Sequence, residues 1–239
     1  MKQDNSPIRL NRFIAMCGVC SRRNADQLIS GGKVKVNSIK TITLGTKVLS
    51  KDVVEVNGQR LFLEKKRYVL LNKPKGYITT MADERGRKTV LSLIRKASQE
   101  RIVPVGRLDK DTTGLLLFTN DGNLSKRLMH PKYEISKVYH VTLNKKLVKT
   151  HFLKIKNGLN LDDGLVRVDQ IDYLETERKV KVNLHVGRNR IVRRIFEHFN
   201  YEVVSLDRVK YDCLKKDNLS LGQWRHLTVL ELEKLNRKN

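Results

Sequence analysis

An unbroken apolar run follows a polar loop framed by two glycines near the middle of the 239-residue chain. The run is Leu115-Leu116-Leu117-Phe118. Apolar residues at every position predict a strand that is buried on both faces. The preceding loop, Gly106 to Gly114, contains Asp109. A carboxylate with a rigid strand behind it, and with backbone amides and cations around it, indicates a fixed nucleophile or general base.

Two other interpretations of this loop agree less well with its residues. A calcium-binding loop begins with the pattern D-x-D and has glycine at its sixth position. Asp109 and Asp111 match the D-x-D pattern, and Gly114 is the sixth residue counted from Asp109. However, Thr113 at position five and Asn120 at position twelve replace oxygen ligands that such a loop needs. The other alternative is a surface turn, and the apolar strand directly after the loop argues against it.

The charge of the chain predicts the chemical class of its partner. Lys and Arg number 49 and Asp and Glu number 25, which gives a net charge of +24 at pH 7. Such an excess favours a polyanion, and nucleic acid is the natural candidate because bound Lys and Arg release counterions from phosphates. The alternative is a solvated basic surface, which self-repulsion between the charges disfavours.

Composition also indicates the compartment. No apolar run approaches the ~20 residues of a membrane-spanning helix, and residues 1–6 lack a signal-peptide core. Cys17, Cys20 and Cys213 fit a reducing compartment better than a disulfide framework. Cys17 and Cys20 form a C-x-x-C pair, but no second pair or histidine cluster completes a zinc site. We therefore expect a cytoplasmic protein with no metal and no membrane contact.

Residues 1–63 have the pattern of a small module with two helices followed by a short sheet. Apolar residues at helical spacing predict a first helix that ends at Gly18, and Ser21 is placed to cap a second helix that ends at Gly31-Gly32. Alternating residues predict strands at 33–37 and 52–56. Basic residues are spread over the module and are its candidate nucleic-acid-binding side chains, which the resemblance described below assigns to RNA: Arg9, Arg12, Arg22, Arg23, Lys33 and Lys35.

The polar residues 64–67 are the predicted linker, and residues 68–239 are the predicted larger domain. Strands with two or three helices between them indicate an α+β domain, with a mostly antiparallel mixed sheet flanked by helices. Alternation along 137–143 places Tyr139 on the inward face, as a core residue or as a flat ring under a flipped base. Where a strand gives way to a helix, four arginines indicate phosphate binding and an ion-pair partner for a carboxylate: Arg188, Arg190, Arg193 and Arg194.

Ordered motifs along nearly the whole chain resemble a known enzyme family. The N-terminal module is similar to an S4-type RNA-binding domain. Its matching motifs are Arg9-Leu10, residues 17–23 and residues 34–37. The larger domain resembles the RsuA/RluB-type ribosomal RNA pseudouridine synthases. Its matching motifs are residues 71–76, 106–122, 128–131, 137–139 and 187–196.

This resemblance implies roles for individual residues. Asp109 corresponds to the catalytic aspartate, Tyr139 to the tyrosine under the target base, and Arg193 to the basic residue that pairs with the aspartate. Arg107 corresponds to the arginine that helps to extrude the nucleotide, and Leu206 to an apolar residue of the pocket. The arginines at 188 and 190 are then substrate-binding. Ile191, where the family usually has Gln, and Asp212-Cys213, where Gly-Pro is expected, depart from the pattern and leave the local loop geometry and RNA contacts open.

The implied reaction is the isomerisation of uridine to pseudouridine in ribosomal RNA, without a cofactor. The motif at 128–131 favours large-subunit over small-subunit RNA. The expected partner is ribosomal RNA or a pre-ribosomal particle, and the expected state is a monomer. One alternative is an inactive RNA-binding or ribosome-assembly protein that keeps the fold. A second alternative is a ribosomal protein proper, which the short tails disfavour because such a protein would have long basic tails.

Overall fold

A computed structural model of the chain describes residues 6–237. The chain divides into two compact units. The N-terminal unit comprises the chain up to Arg67 together with 99–101 and 120–122, and the larger unit comprises the remainder. The predicted linker residues lack regular secondary structure, and within the N-terminal unit Arg67 bonds to Asn120 and Glu100. The predicted boundaries at 63 and 68 remain predictions.

The N-terminal unit packs two helices against short antiparallel strands. The hydroxyl of Ser21 accepts a hydrogen bond from the backbone N–H of Asn24, which confirms the predicted cap of the second helix. Asn57 and Gly58 both have positive φ and form the predicted turn between two strands. The helices and strands are α1 Leu10–Met16, α2 Arg22–Ser30, β1 Ile8–Arg9, β2 Val34–Val36, β3 Ile39–Thr41, β4 Lys47–Val48, β5 Val54–Val56 and β6 Gln59–Arg60.

The larger unit is built on a nine-stranded sheet. Its strands are β7 Tyr68–Lys73, β8 Val103–Pro104, β9 Thr113–Thr119, β10 Lys137–Leu143, β13 Gln170–Tyr173, β14 Lys179–Leu184, β15 Val203–Tyr211, β16 Leu214–Lys215 and β17 Trp224–His226. They run in the order β13-β14-β10-β15-β9-β7-β17, with β16 beside β15 and β8 beside β9. Within this sheet only the β15–β9 pair is parallel among the residues described. The mostly antiparallel mixed sheet is therefore confirmed.

Helices and one separate hairpin surround this sheet. The hairpin pairs β11 Leu159–Leu161 with β12 Gly164–Val166. Beyond Tyr68, the described part of the chain has five α-helices rather than the two or three expected: α3 Val90–Ile94, α4 Gly122–Met129, α5 Lys149–Asn157, α6 Ile191–Glu197 and α7 Val229–Arg237. These helices are only 5 to 9 residues long, and such short segments show a 3.6-residue period less clearly than the roughly 11–18 residues over which that period is read.

The apolar run at Leu115–Phe118 is buried on both faces of the sheet, as predicted. Leu116 and Phe118 belong to one hydrophobic cluster, while Leu115 and Leu117 belong to a second cluster, and all four side chains are inaccessible to solvent. Burial of each such side chain contributes about 1.5–3 kcal/mol. The strand that follows the Asp109 loop is therefore a rigid support for it.

Candidate active site

The loop that contains Asp109 joins β8 to β9 and makes hydrogen bonds with the segment that follows β7. The N–H of Gly76 donates to the carbonyl of Lys110 at 2.9 Å. The hydroxyl of Thr79 donates to the carbonyl of Leu108 at 2.8 Å and accepts from its N–H at 3.3 Å. These bonds fix the backbone on both sides of Asp109.

Gly114 allows the end of this loop to enter the sheet. Its φ is +111°, and an added Cβ would lie 2.3 Å from the carbonyl oxygen of Arg208 on β15. Only glycine permits this backbone conformation together with so close an approach of two strands. The parallel contact between β9 and β15 is made here, with Arg208 opposite Gly114.

A buried lysine makes hydrogen bonds to the backbone of this loop. Lys73, the last residue of β7, is inaccessible to solvent. Its ammonium, with three N–H donors, lies within hydrogen-bond distance of four backbone carbonyl oxygens, those of Thr112 at 2.8 Å, Asp109 at 3.0 Å, Pro74 at 3.1 Å and Lys110 at 3.2 Å. Burial lowers the pKa of Lys73 to about 8, although Asp111 and Asp109 act in the opposite direction. No feature of the sequence predicted a role for Lys73, although it lies in the motif at 71–76 that resembles the family.

The carboxylate of Asp109 faces an arginine. Nη1 of Arg190 lies 3.7 Å from Oδ2 of Asp109, and the two side chains are 46% and 34% exposed. Arg190 directly precedes α6 and has a left-handed backbone with φ of +47°. Its other ionic contact is with Glu197 at 3.5 Å. Asp109 thus combines a fixed backbone, solvent access and a cationic neighbour.

The structure corrects the predicted pair between Arg193 and Asp109. Arg193 lies in α6 and is 9% exposed, and its guanidinium donates to the carbonyl of Val203 at 2.8 Å and to that of Asp111 at 3.5 Å. The first turn of the helix directs Arg193 into the protein, whereas the left-handed residue before the helix, Arg190, is presented to the carboxylate. Arg193 therefore supports the backbone of the loop, and Arg190 makes the ion pair.

Tyr139 lies on the inward face of β10, as its alternation with Val141 and Leu143 predicts, and is 9% exposed. Leu206 on β15 is opposite Val141 and is 5% exposed. Both Tyr139 and Leu206 belong to the hydrophobic cluster that contains Leu108, the residue before Asp109. The loop, the tyrosine and the leucine are therefore parts of one packed region.

The other predicted substrate-binding arginines have different surroundings. Arg107 is exposed. Arg188 instead bonds within the protein, to the turn of the β11–β12 hairpin at residues 163–165. In the N-terminal unit, Arg12 is half-buried, and five of the six candidate RNA-binding side chains are exposed: Arg9, Arg22, Arg23, Lys33 and Lys35.

Two further observations concern the described residues 6–237 only. They contain no cluster of three or more His, Cys, Asp or Glu side chains arranged to hold a metal ion. No helix in this part of the chain is both long enough and apolar enough to span a membrane.

Comparison with known proteins identifies the family. Residues 67–198 match the RNA pseudouridylate synthase family, and residues 8–54 match the S4 domain. Ribosomal large subunit pseudouridine synthase B of Bacillus subtilis (strain 168) is 42% identical over 232 residues, which cover 95% of each chain. Dual-specificity RNA pseudouridine synthase RluF of Escherichia coli (strain K12) is 34% identical over 231 residues, which cover 95% of this chain and 78% of that one.

A solved structure agrees with this assignment. A crystal structure of a pseudouridylate synthase superposes with a TM-score of 0.67 at 29% identity, and the match covers 95% of this chain and 99% of the other. The family and the fold predicted from sequence are thus confirmed. The chain belongs to the RNA pseudouridylate synthase family and has an S4 domain before its synthase domain.

Proposed function

We propose that this chain isomerises uridine to pseudouridine in large-subunit ribosomal RNA, with Asp109 as the catalytic carboxylate. One observation supports the catalytic assignment most directly. The Asp109 side chain is open to solvent and faces Arg190, while its own backbone carbonyl is held by the buried Lys73. A fixed and accessible carboxylate beside a cation is suited to act as a nucleophile or general base.

The reaction requires access to a base that is stacked in structured RNA. The target nucleotide is flipped out of the stack at a cost of a few kcal/mol. Asp109 then acts as nucleophile or base, and the bond between N1 of uracil and C1′ of ribose breaks. The uracil rotates, a bond forms between C5 and C1′, and the C5 proton is lost while N1 gains a proton. The reaction is an isomerisation and consumes no other reactant.

Other residues of the site have supporting roles in this proposal. Tyr139 stacks under the flipped uracil, and Leu206 forms an apolar wall of the pocket. Arg107, which is exposed two residues before Asp109, helps to extrude the nucleotide. Arg190 stabilises the ionised carboxylate, and Arg193 supports the loop through the carbonyl of Asp111.

The large subunit is favoured because the Bacillus subtilis relative, 42% identical over 95% of the chain, is named for that subunit. The Escherichia coli relative named as having dual specificity is less similar, at 34%. The exposed basic side chains of the N-terminal unit bind RNA phosphates and position the substrate without reading its sequence. We place the enzyme in the cytoplasm as a monomer that acts on ribosomal RNA or a pre-ribosomal particle.

Tritium release tests the activity and the choice of subunit together. Large-subunit and small-subunit RNA, each labelled with tritium at uracil C5, are incubated separately with the 239-residue chain, both as free RNA and as partly assembled particles. We expect release from large-subunit RNA. Release from small-subunit RNA alone would overturn the subunit assignment, and no release from any substrate would favour the inactive RNA-binding protein.

A further inference from the structure

A single carboxylate binds two of the four arginines around the start of α6. Oδ2 of Asp163 accepts from Nη1 of Arg194 at 2.8 Å, and Oδ1 accepts from Nη2 of the same residue at 2.7 Å. Oδ1 also lies 3.4 Å from Nη1 of Arg188. Two parallel bonds between arginine and a carboxylate fix both distance and orientation. The bonds from Arg194 lower the pKa of Asp163 to about 2.

The same turn holds Arg188 through its backbone. Nη1 of Arg188 donates to the carbonyls of Asp163 at 3.1 Å and Gly164 at 3.2 Å, and Nη2 donates to that of Leu165 at 3.2 Å. Protein acceptors thus engage both terminal nitrogens of Arg188, and both of Arg194. These contacts to protein acceptors favour a structural role for Arg188 over substrate binding.

The hairpin that carries Asp163 is anchored at its base. Leu159 and Val166 are paired across the two strands and are 7% and 3% exposed. Both side chains belong to the hydrophobic cluster that contains Tyr139. The turn is therefore a rigid support for the arginines that it holds.

Arg190 lies between the two arginines that are held. It follows Arg188 by two residues, precedes Arg194 by four, and has the left-handed backbone that L-residues other than Asn and Asp seldom adopt. Such a conformation persists only when the surrounding structure enforces it. The carboxylate of Asp163 contacts an arginine on each side of Arg190 in the sequence, Arg188 and Arg194.

We infer that Asp163 is a positioning residue that holds Arg190 against Asp109. It does not touch the carboxylate of Asp109 and acts through the backbone of residues 188–194. This inference rests on the proposed roles of Asp109 and Arg190. It extends the site to a hairpin turn that lies some 50 residues after the catalytic loop in the sequence and has no motif of its own.

The test is single-turnover tritium release by Asp163→Asn, with Asp162→Asn as the matched control in the same turn. We expect Asp163→Asn to slow the reaction by about tenfold to a hundredfold, since small displacements of a positioned group have effects of this size. The rate of Asp162→Asn should stay close to that of the wild type, and both variants should bind RNA with dissociation constants close to the wild-type value. Asp163→Glu should recover part of the rate that Asp163→Asn loses. A rate for Asp163→Asn equal to that of Asp162→Asn would overturn the inference.

A double-mutant cycle separates positioning from a merely structural role. If Asp163 acts through Arg190, Asp163→Asn should cause little further loss in an Arg190→Ala background. Losses that multiply would show that Asp163 acts independently of Arg190 and would overturn the inference. Asp109→Asn, measured in parallel, tests the proposed function separately. Loss of activity in this variant would support the role of Asp109 even if the cycle showed that Asp163 acts independently of Arg190.

Discussion

The ammonium of Lys73 lies 3.0 Å from the backbone carbonyl oxygen of Asp109, although the two residues are 36 positions apart in the chain. This bond and the contacts with the carbonyls of Lys110 and Thr112 connect the end of β7 to the loop before β9. The backbone position of Asp109 therefore depends on the buried ammonium of Lys73.

Replacement of this lysine should destabilise the protein. Lys73→Met keeps the apolar stem and leaves buried carbonyl oxygens without a donor, at a cost of about 2–4 kcal/mol in the free energy of unfolding. Lys75→Met, at an exposed position two residues later, is the matched control and should be near neutral. Urea denaturation measures both. Equal unfolding midpoints for the two variants would show that Lys73 does not support the loop.

The stabilisation should also depend on pH in a defined direction. The pKa of Lys73 falls from 10.5 to about 8 on folding, so the unfolded chain binds more protons at this side chain between these values. The free energy of unfolding of the wild type, relative to Lys73→Met, should therefore rise between about pH 8 and 10.5, and this gain should disappear as the pH falls through 8. A difference that stays constant over this range would contradict the lowered pKa.

Gly114 should tolerate no side chain. Gly114→Ala places a Cβ 2.3 Å from the carbonyl oxygen of Arg208 at a positive φ, and we expect it to cost about 3 kcal/mol or more, or to prevent folding. Gly122→Ala is the control, because no atom beyond its chain neighbours and its own helix backbone lies within 4 Å of the added Cβ. Thermal unfolding of the two variants gives the comparison. A Gly114→Ala protein as stable as Gly122→Ala would refute the close approach of β9 to β15.

The N-terminal arginines should govern the salt dependence of RNA binding. The double change Arg22→Gln and Arg23→Gln removes two exposed charges at the start of α2 and should reduce the slope of log affinity against log salt by about 1 to 2. The pair Lys47→Gln and Lys51→Gln removes the same charge at exposed positions outside the predicted RNA-binding set. Filter binding over a salt series measures both slopes. A wild-type slope for the Arg22→Gln and Arg23→Gln variant would show that these arginines do not contact phosphates.

Local patterns were sufficient to predict much of this molecule. The alternation around Tyr139 gave its inward orientation, the cap at Ser21 gave the start of α2, and the unbroken apolar run gave a strand buried on both faces. Each of these features depends on neighbouring residues, whose spacing the sequence displays directly.

The parts of the site that could not be predicted depend on contacts between distant residues. Of the four clustered arginines, Arg190 reaches Asp109 because its backbone is left-handed. Composition does not reveal that conformation. Likewise, Arg194 meets Asp163 across 31 positions, and Lys73 meets Thr112 across 39. Such pairs become visible only when the strands and loops are assembled.

The most direct measurement of the central claim is single-turnover tritium release from large-subunit RNA by Asp109→Asn, with Asp111→Asn as the matched control. Both variants remove one carboxylate from the same loop, and both should bind RNA within a few-fold of wild type, because phosphate contacts supply most of the affinity. We predict that Asp109→Asn falls below about one-thousandth of the wild-type rate while Asp111→Asn keeps most of it. Comparable rates for Asp109→Asn and wild type would contradict the assignment of Asp109 as the catalytic carboxylate.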